Sequence, residues 1–174
     1  MSKNYLRVNK LSHRVSEIKT LPSDLTLTMN KKVCDNGDLQ IDSHGNWLYF
    51  GSPINRIKLI KLFSSALQRD KTGSYWLITP AEAFRVKVDD APFMAVEIEL
   101  IDPGPKQSII FRTNIDQYIT LNLRHPLRVQ LTKKTQQPRP YIIIGRGLEA
   151  KLTRSVFYEL VELSVEKIVK GKLV

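Results

Sequence analysis

The sequence predicts an α+β fold of two units, both built on a repeated hairpin–helix motif. Two observations lead to this fold class. Apolar residues recur at helical spacing over residues 6–19, over 55–68 and near the C-terminus, whereas from residue 84 onward they alternate with polar residues, as in half-buried strands. A chain of 174 residues, 42% of them hydrophobic, is long and apolar enough to bury a core in one large domain or two small ones. We therefore predict an N-terminal α+β domain over 1–77 and a C-terminal antiparallel β domain with a closing helix over 78–174.

The N-terminal unit is predicted to hold a helix, a hairpin and a second helix. An amphipathic helix is expected over residues 6–19, followed by an irregular segment that reaches Gly37. Apolar residues on both sides of a tight turn then predict a hairpin, in which Gly45 supplies the positive φ that the turn requires. Asn55 is the predicted N-cap of the second helix, which should end near residue 68.

Short strands dominate the C-terminal unit. One capped helical turn is expected at residues 79–82, with Thr79 as its cap. Thr153 should cap a closing helix that buries Val156, Val161 and Ile168. A strand at 75–78 is followed by seven strands, at 84–88, 93–101, 108–112, 118–121, 127–131, 141–144 and 148–152. A meander of this length must curl or close to protect its edges, and with a terminal helix it is typical of a pleckstrin-homology-like antiparallel barrel.

One hairpin–helix unit is predicted to occur twice, at an offset of 98 residues (152 − 54). Asn55 and Arg56 in the first copy correspond to Thr153 and Arg154 in the second, and an apolar helical stripe follows each pair. The hairpins upstream correspond in the same way. Two such units, each with one apolar face, can bury those faces together.

The composition limits the possible function classes without choosing one. A formal net charge of +10 predicts affinity for polyanions, so nucleic-acid binding is the alternative function, although scattered basic residues are also typical of a solvated surface. Cys34 is the only cysteine, which excludes an internal disulfide. No apolar run reaches the roughly 18 residues that span a bilayer, and the N-terminus lacks the features of a signal peptide. We expect no transmembrane segment and a cytoplasmic location, and the oligomeric state stays open.

No sequence motif indicates a catalytic or cofactor site. Gly145 and Gly147 follow an apolar strand, but the third glycine of a dinucleotide fingerprint is missing. His13, His44 and His125 have no metal-ligand spacing. We therefore expect no enzymatic activity, no cofactor and no metal.

Polar residues at strand ends are the best candidates for a binding site, because scaffolds present binding groups there. Arg112 and Asn114 end one strand, His125 precedes another, and Arg146 and Glu149 flank the start of a third. A surface salt-bridge network explains the same pattern. Both interpretations stay open at this point.

Seven short motifs are spread over residues 37–162. They are Ile41-Asp42-x-x-Gly45-x-Trp47, Gly51-Ser52-Pro53-Ile54-x-Arg56, Thr79-Pro80-x-Glu82, Val88-x-Asp90-Ala91-Pro92-Phe93, Phe111-Arg112-Thr113-Asn114, His125-Pro126-Leu127 and Gly147-Leu148-Glu149-Ala150. With these motifs the chain resembles an uncharacterised bacterial family, catalogued as domain of unknown function 1285. The resemblance implies two small α+β units with repeated motifs, the second superficially pleckstrin-like.

For function, the resemblance implies a ligand- or partner-binding role in signal transduction, with the cleft between the two domains as the site. We expect a non-enzymatic cytoplasmic module that binds a small anionic ligand or a protein partner. Its arginines would bind the anionic group, and its acidic residues would orient the arginines. The candidate ligand-binding residues are Arg56, Glu82, Asp90, Phe93, Arg112, Asn114, His125, Arg146 and Glu149.

Overall fold

The computed structural model describes residues 32–79, 82–102, 104, 107–164, 168–169 and 172–173. The helix predicted over residues 6–19 lies outside the described residues. The described residues are mostly sheet with two helices.

The first half of the described chain holds β1 (Lys32–Ile41), β2 (Trp47–Tyr49), β3 (Ser52–Pro53), α1 (Ile57–Ala66), β4 (Leu67–Arg69), β5 (Tyr75–Ile78) and β6 (Glu82–Val88). The second half holds β7 (Phe93–Ile101), β8 (Ser108–Thr113), β9 (Tyr118–Thr120), β10 (Leu127–Leu131), β11 (Pro138–Gly145), β12 (Leu148–Leu152), α2 (Arg154–Glu162), β13 (Ile168–Val169) and β14 (Lys172–Leu173).

These strands form two six-stranded sheets, in the orders β3-β2-β1-β6-β5-β4 and β10-β11-β12-β7-β8-β9, and β13 pairs with β14. In each six-stranded sheet the first strand along the chain pairs in parallel with the last: Ile41 lies opposite Val88, and Ala95 lies opposite Leu152. The other neighbours are antiparallel. Each sheet therefore consists of two three-stranded meanders joined by a central parallel pair, and the two-unit organisation predicted from the sequence is present.

A shared core connects the helices with the sheets. Trp47 of β2 packs against Phe63 of α1 with ring centroids 6.0 Å apart, and both side chains are buried. Phe93, Phe111 and Val156 contribute from the second sheet and α2, and they belong to the same apolar cluster. Burial of side chains of this size contributes about 1.5–3 kcal/mol each to folding.

The first helix differs from its predicted bounds at both ends. Arg56, not Asn55, occupies the N-cap position, and no side-chain hydrogen bond caps the helix there. The helix ends at Ala66 because the next residues join the sheet as β4: Leu67 is buried and pairs with Leu77. The helical pattern in the sequence continues to residue 68, but pairing within the sheet ends the helix earlier. The strand β1 also begins well before Gly37, where an irregular segment was predicted.

Of the capped helical turn predicted at residues 79–82, only Thr79 and Glu82 lie in the described part of the chain, and Glu82 is a strand residue rather than part of a helix. The Thr79 N–H donates to the Glu82 carbonyl oxygen at 2.9 Å, and the Glu82 N–H donates to Thr79 Oγ1 at 2.9 Å. These bonds join Thr79 to Glu82, which is the first residue of β6. Because β6 pairs with β5 and β1, it belongs to the first sheet. The second sheet therefore has six strands rather than seven, and the chain changes sheets after Val88 rather than after residue 77.

The two predicted hairpin–helix segments occupy different positions in their sheets. The hairpin of the first segment starts with β1, which lies at the centre of its sheet, whereas the hairpin of the second starts with β10 at an edge. The N-cap of α2 agrees with the prediction, since Thr153 Oγ1 accepts from the Val156 N–H at 3.4 Å. Val156 is buried, but Val161 is 48% exposed, and Ile168 lies in β13 rather than in the helix.

Candidate functional site

Two consecutive aspartates hold the connection between the sheets. The Asp89 N–H donates to the Ile41 carbonyl oxygen at 3.0 Å, and its carboxylate accepts from Gln40 Nε2 at 3.0 Å. Asp90 turns the other way and accepts hydrogen bonds from three residues of the second sheet. One carboxylate is therefore fixed to each sheet at the point where the chain crosses over.

The three donors to Asp90 are Arg139 Nη2, Tyr141 Oη at 2.8 Å and Lys151 Nζ at 2.7 Å. Strand register explains why they meet. Lys151 of β12 lies directly opposite Tyr141 of β11, and Arg139 comes two residues before Tyr141 and so shares its face of the sheet. Asp90 therefore lies against one face of the second sheet, in contact with neighbouring strands.

A second acid lies on the same sheet face. Arg128 of β10 is opposite Tyr141, and its guanidinium donates through Nε to Glu149 Oε1 at 3.0 Å and through Nη2 to Glu149 Oε2 at 2.6 Å. This is a bidentate pair, the geometry that fixes a guanidinium most firmly. The Arg128 guanidinium also lies 4.4 Å from the centre of the Tyr141 ring, within the range of a cation–π contact. Asp90, Arg128, Arg139, Tyr141, Glu149 and Lys151 together form what we call the Tyr141 cluster.

The acids of the Tyr141 cluster are more buried than its cations. The side chains of Asp90 and Glu149 are 7% and 13% exposed, respectively. By contrast, the side chains of Arg128, Arg139 and Lys151 are 42%, 36% and 26% exposed. The surface of the cluster that solvent reaches is therefore dominated by positive charge.

The pKa directions agree with this arrangement. Burial raises the pKa of Asp90, but hydrogen bonds from Lys151, Tyr141 and Arg139 outweigh it, so the pKa lies below its ordinary value and Asp90 is ionised at neutral pH. Burial and the hydrogen bond to Asp90 raise the pKa of Tyr141 to about 12, so its hydroxyl stays a donor. The hydrogen bond to Glu149 raises the pKa of Arg128.

Tyr75 of the first sheet connects the cluster with a groove. Burial raises the pKa of Tyr75. The charges of Glu149 and Asp90 raise it further, and those of Arg69 and Arg128 lower it. The Arg69 guanidinium lies 5.3 Å from the centre of the Tyr75 ring. An open groove of about 410 Å³ runs beside this tyrosine, and it is lined by Gly73, Ser74, Tyr75, Arg85, Val86, Lys87 and Val88. Its charged lining residues are both basic.

Arg112 belongs to a separate, exposed ion-pair network. Its guanidinium donates to Glu97 through Nε and to Asp116 Oδ1 at 3.1 Å, and Lys61 of α1 pairs with Asp116 at 3.0 Å. The hydrogen bond to Glu97 is the main reason that the pKa of Arg112 is raised. Solvent screens exposed pairs of this kind, so they contribute little to stability. This network fits the salt-bridge interpretation of the sequence pattern.

Asn114 and Arg146 make contacts between the two sheets. Asn114 Nδ2 donates to the Gly45 carbonyl oxygen at 3.2 Å, which reaches the β1–β2 turn of the first sheet. Arg146 Nη1 donates to the Ser65 carbonyl oxygen at 2.7 Å, in the last turn of α1. Burial lowers the pKa of Arg146. A cation at that end of a helix also complements the helix dipole.

The remaining candidates hold other positions in the fold. Phe93 is 1% exposed and belongs to the core. His125 Nδ1 is 3.0 Å from the Ile143 carbonyl oxygen, so the ring contacts a neighbouring strand. Arg56 begins α1 and Arg146 contacts its end, and a helix of ten residues separates them by about 15 Å. Glu82 begins β6.

Among the nine predicted residues, only Asp90 and Glu149 enter the Tyr141 cluster. Sequence reasoning missed Arg128, Arg139, Tyr141 and Lys151, which supply all the donors of the cluster. One signal for them was available. The predicted strands 127–131 and 148–152 alternate, so Arg128, Glu149 and Lys151 could have been placed on the face opposite the apolar residues, whereas Tyr141 begins an unbroken apolar run over 141–144.

Within the described residues, no group of three or more His, Cys, Asp or Glu side chains could hold a metal ion. Neither of the helices in the described part of the chain is long and apolar enough to cross a membrane.

The fold and this cluster define a two-sheet α+β protein with a charged cluster where its units meet. The chain belongs to the DUF1285 family. Residues 28–91 match the family's N-terminal domain, described as a domain of unknown function, and residues 92–174 match the C-terminal domain, described as a protein of unknown function. The resemblance inferred from the seven motifs is thereby confirmed.

Two solved structures of the same family are similar to this chain. A DUF1285 family protein from Silicibacter pomeroyi DSS-3 is 32% identical, with a TM-score of 0.74, and the match covers 91% of this chain and 90% of that chain. A DUF1285 family protein from Shewanella baltica OS155 is 30% identical, with a TM-score of 0.59, and the match covers 75% of this chain and 94% of that chain. No curated protein matches the chain.

Proposed function

We propose that this protein is a non-enzymatic, cytoplasmic binding module in signal transduction, and that its ligand is a small molecule or protein segment that carries an anionic group. The binding site is the Tyr141 cluster, at the junction of the two units. One observation supports this most strongly. Buried acids fix the cations of the cluster from one side, while the cations remain partly exposed on the other.

The chemistry of the cluster suits an anion. Arg128 uses two nitrogens for Glu149, and Nη1 donates to Gln130 at 3.3 Å, so N–H groups on Nη1 and Nη2 remain for a ligand. Lys151 has three N–H donors, and Asp90 accepts one of them. Because Glu149 already fixes the Arg128 guanidinium, its contact with a ligand costs little side-chain entropy. The groove beside Tyr75 offers space for the rest of a ligand.

The proposal also includes the finer likeness of the second unit to a pleckstrin-homology barrel and the occurrence of one hairpin–helix motif in both units. A six-stranded sheet followed directly by α2 supports the likeness. The parallel pairing of β7 with β12 departs from an all-antiparallel barrel.

A thermal-shift screen tests the proposed site. Wild-type protein is screened against nucleotides, phosphorylated metabolites and dicarboxylates, and each compound that raises Tm is tested again with Arg128→Ala. We expect the shift in Tm to disappear in that variant. Arg124→Ala is the matched control, since it removes the same charge from an exposed residue outside the cluster. Equal loss in both variants, or retained binding in Arg128→Ala, would contradict the proposed site.

Nucleic-acid binding is the alternative, and the net charge of +10 is the observation that favours it. Binding of arbitrary DNA or RNA through the overall charge would weaken steeply as salt rises, because counterions are released on binding. If the protein is the binding module proposed above, we expect that arbitrary DNA or RNA does not bind to it even at low salt. Tight, salt-sensitive binding that Arg128→Ala and Arg124→Ala weaken equally would favour the alternative.

A further inference from the structure

The side chains around Asp90 have the composition of an oxyanion site. Arg139, Tyr141 and Lys151 each donate one hydrogen bond to the same carboxylate. Two of the donors are cations, and the third is a hydroxyl held neutral by its raised pKa. Backbone geometry fixes their relative positions, because all three lie on neighbouring strands of one sheet.

The anion in this site belongs to the chain itself. Asp90 comes from the connection between the sheets, 49 residues before Arg139 and 61 before Lys151. A tethered group has a high effective concentration, so it competes strongly with any free anion for the same donors. Because Asp90 is 7% exposed while Arg139 is 36% exposed, solvent reaches the site past the cations.

We propose that Arg139, Tyr141 and Lys151 form a binding site for a carboxylate or phosphate oxyanion, and that Asp90 is its internal competitor. The inference rests on the proposed function, since it names the group of the ligand that the Tyr141 cluster recognises. A ligand with further contacts, for example to Arg128, gains the free energy needed to displace Asp90.

Displacement would release one end of the inter-sheet connection only. Asp89 stays attached to the first sheet through Ile41 and Gln40. The contacts that Asn114 and Arg146 make between the units do not involve Asp90. Binding at this site would therefore loosen the connection at residues 89–92 without separating the units.

Chemical rescue tests the inference without the natural ligand. Asp90→Ala leaves two cations without their acid, which destabilises the fold, and an added oxyanion can take the empty place. We expect Tm of Asp90→Ala to rise by several degrees in acetate or phosphate relative to chloride at equal ionic strength. Wild type should show no such difference, because Asp90 occupies the donors. The acetate and phosphate arms distinguish carboxylate from phosphate recognition.

Two variants make the result specific. Asp89→Ala removes the neighbouring carboxylate but leaves Arg139 and Lys151 paired, so no oxyanion-specific rise is expected. Asp90→Ala with Lys151→Met should lose most of the rescue. If Asp90→Ala does not fold in chloride, the yield of folded protein in acetate against chloride is measured instead, and recovery in acetate alone is expected.

An equal response of Asp90→Ala and Asp89→Ala, or no response of either in any anion, would overturn the inference. These measurements use acetate and phosphate alone, so a negative result would count against the inference and not against the proposed function. If the anions do not rescue Asp90→Ala but a ligand binds and Arg128→Ala abolishes its binding, the proposed binding module stands. Only the role of Asp90 as a competitor is then removed.

Discussion

The side-chain amide of Asn114 binds the backbone of Gly45 across the junction of the two sheets, with Nδ2 3.2 Å from the Gly45 carbonyl oxygen. The amide oxygen of Asn114 accepts from the Met94 N–H at 3.1 Å. Gly45 has a φ of +79°, and a Cβ at this position would lie 2.8 Å from Asn114 Nδ2. A glycine and an asparagine far apart in the sequence therefore depend on each other.

Substitution at either residue should destabilise the protein. We expect Asn114→Ala to lower the free energy of unfolding by about 1–3 kcal/mol, because the Met94 N–H and the Gly45 carbonyl each lose a partner. Gly45→Ala should cost about as much, through its strained φ and the close approach to Asn114. Urea denaturation measures both values.

Gly51→Ala is the control for backbone strain. Gly51 has a φ of +73°, and a Cβ there would meet nothing within 4 Å. The free energy of unfolding that Gly45→Ala loses beyond the loss in Gly51→Ala reports the contact with Asn114. When Gly45→Ala is combined with Asn114→Ala, this extra loss should be smaller. Equal losses at the two glycines would show that the contact contributes nothing.

The turn between β4 and β5 predicts a pH dependence. Asp70 Oδ1 accepts from the backbone N–H groups of Thr72 and Ser74, both at 2.9 Å, and Oδ2 accepts from Trp76 Nε1 at 2.8 Å. Slight burial raises the pKa of Asp70, but these hydrogen bonds and one from the Thr72 hydroxyl lower it from 3.8 to about 2. The folded-state pKa is below the unfolded one, so the contribution to stability is present above pH 3.8 and is lost as the pH falls toward 2.

Asp70→Asn should therefore lose stability only where the carboxylate is ionised. We expect a loss of roughly 1 kcal/mol at neutral pH, a modest value because the site is exposed to solvent. The loss should shrink as the pH falls through the folded-state pKa. Chemical denaturation at several pH values measures it, with Asp102→Asn as the surface control. A loss that is independent of pH would contradict the assignment.

Arg146 should stabilise the end of α1. Its guanidinium binds the Ser65 carbonyl oxygen at 2.7 Å, and its own carbonyl accepts from the Arg69 N–H at 3.3 Å. We expect Arg146→Ala to lower stability by about 1–2 kcal/mol, since a carbonyl at the helix end loses a charged donor. Hydrogen exchange of α1 amides should quicken in this variant and stay unchanged in Arg124→Ala. Unchanged exchange in Arg146→Ala would show that the contact is dispensable.

Local patterns in the sequence predicted much of the strand inventory. Apolar alternation found β10 and β12 with the bounds that the structure has, and Thr153 marked the start of α2 correctly. Pairing between strands was not predictable in the same way. Nothing near Leu67 shows that it pairs with Leu77, and nothing near Glu82 shows that β6 joins the first sheet. Both depend on contacts that form only after the chain has folded back.

The Tyr141 cluster was less predictable for the same reason. Asp90 and Glu149 attracted attention as polar groups at turns and strand ends, but Tyr141 lies 51 residues beyond Asp90. Arg112, Asn114 and Arg146 looked equally suitable, and each of them is bound to protein groups outside the Tyr141 cluster. Alternation assigns polar residues to one face of their own strand, whereas only strand register reveals which residues of neighbouring strands lie side by side.

The most direct test of the proposed site observes the arginines themselves. The side-chain Nε–H signals of isotope-labelled protein are followed by NMR while an anionic ligand from the thermal-shift screen is added. We predict that the signals of Arg128 and Arg139 shift in proportion to binding, while that of Arg124 does not move. If a ligand binds and the Arg128 and Arg139 signals stay fixed, the Tyr141 cluster is not the binding site.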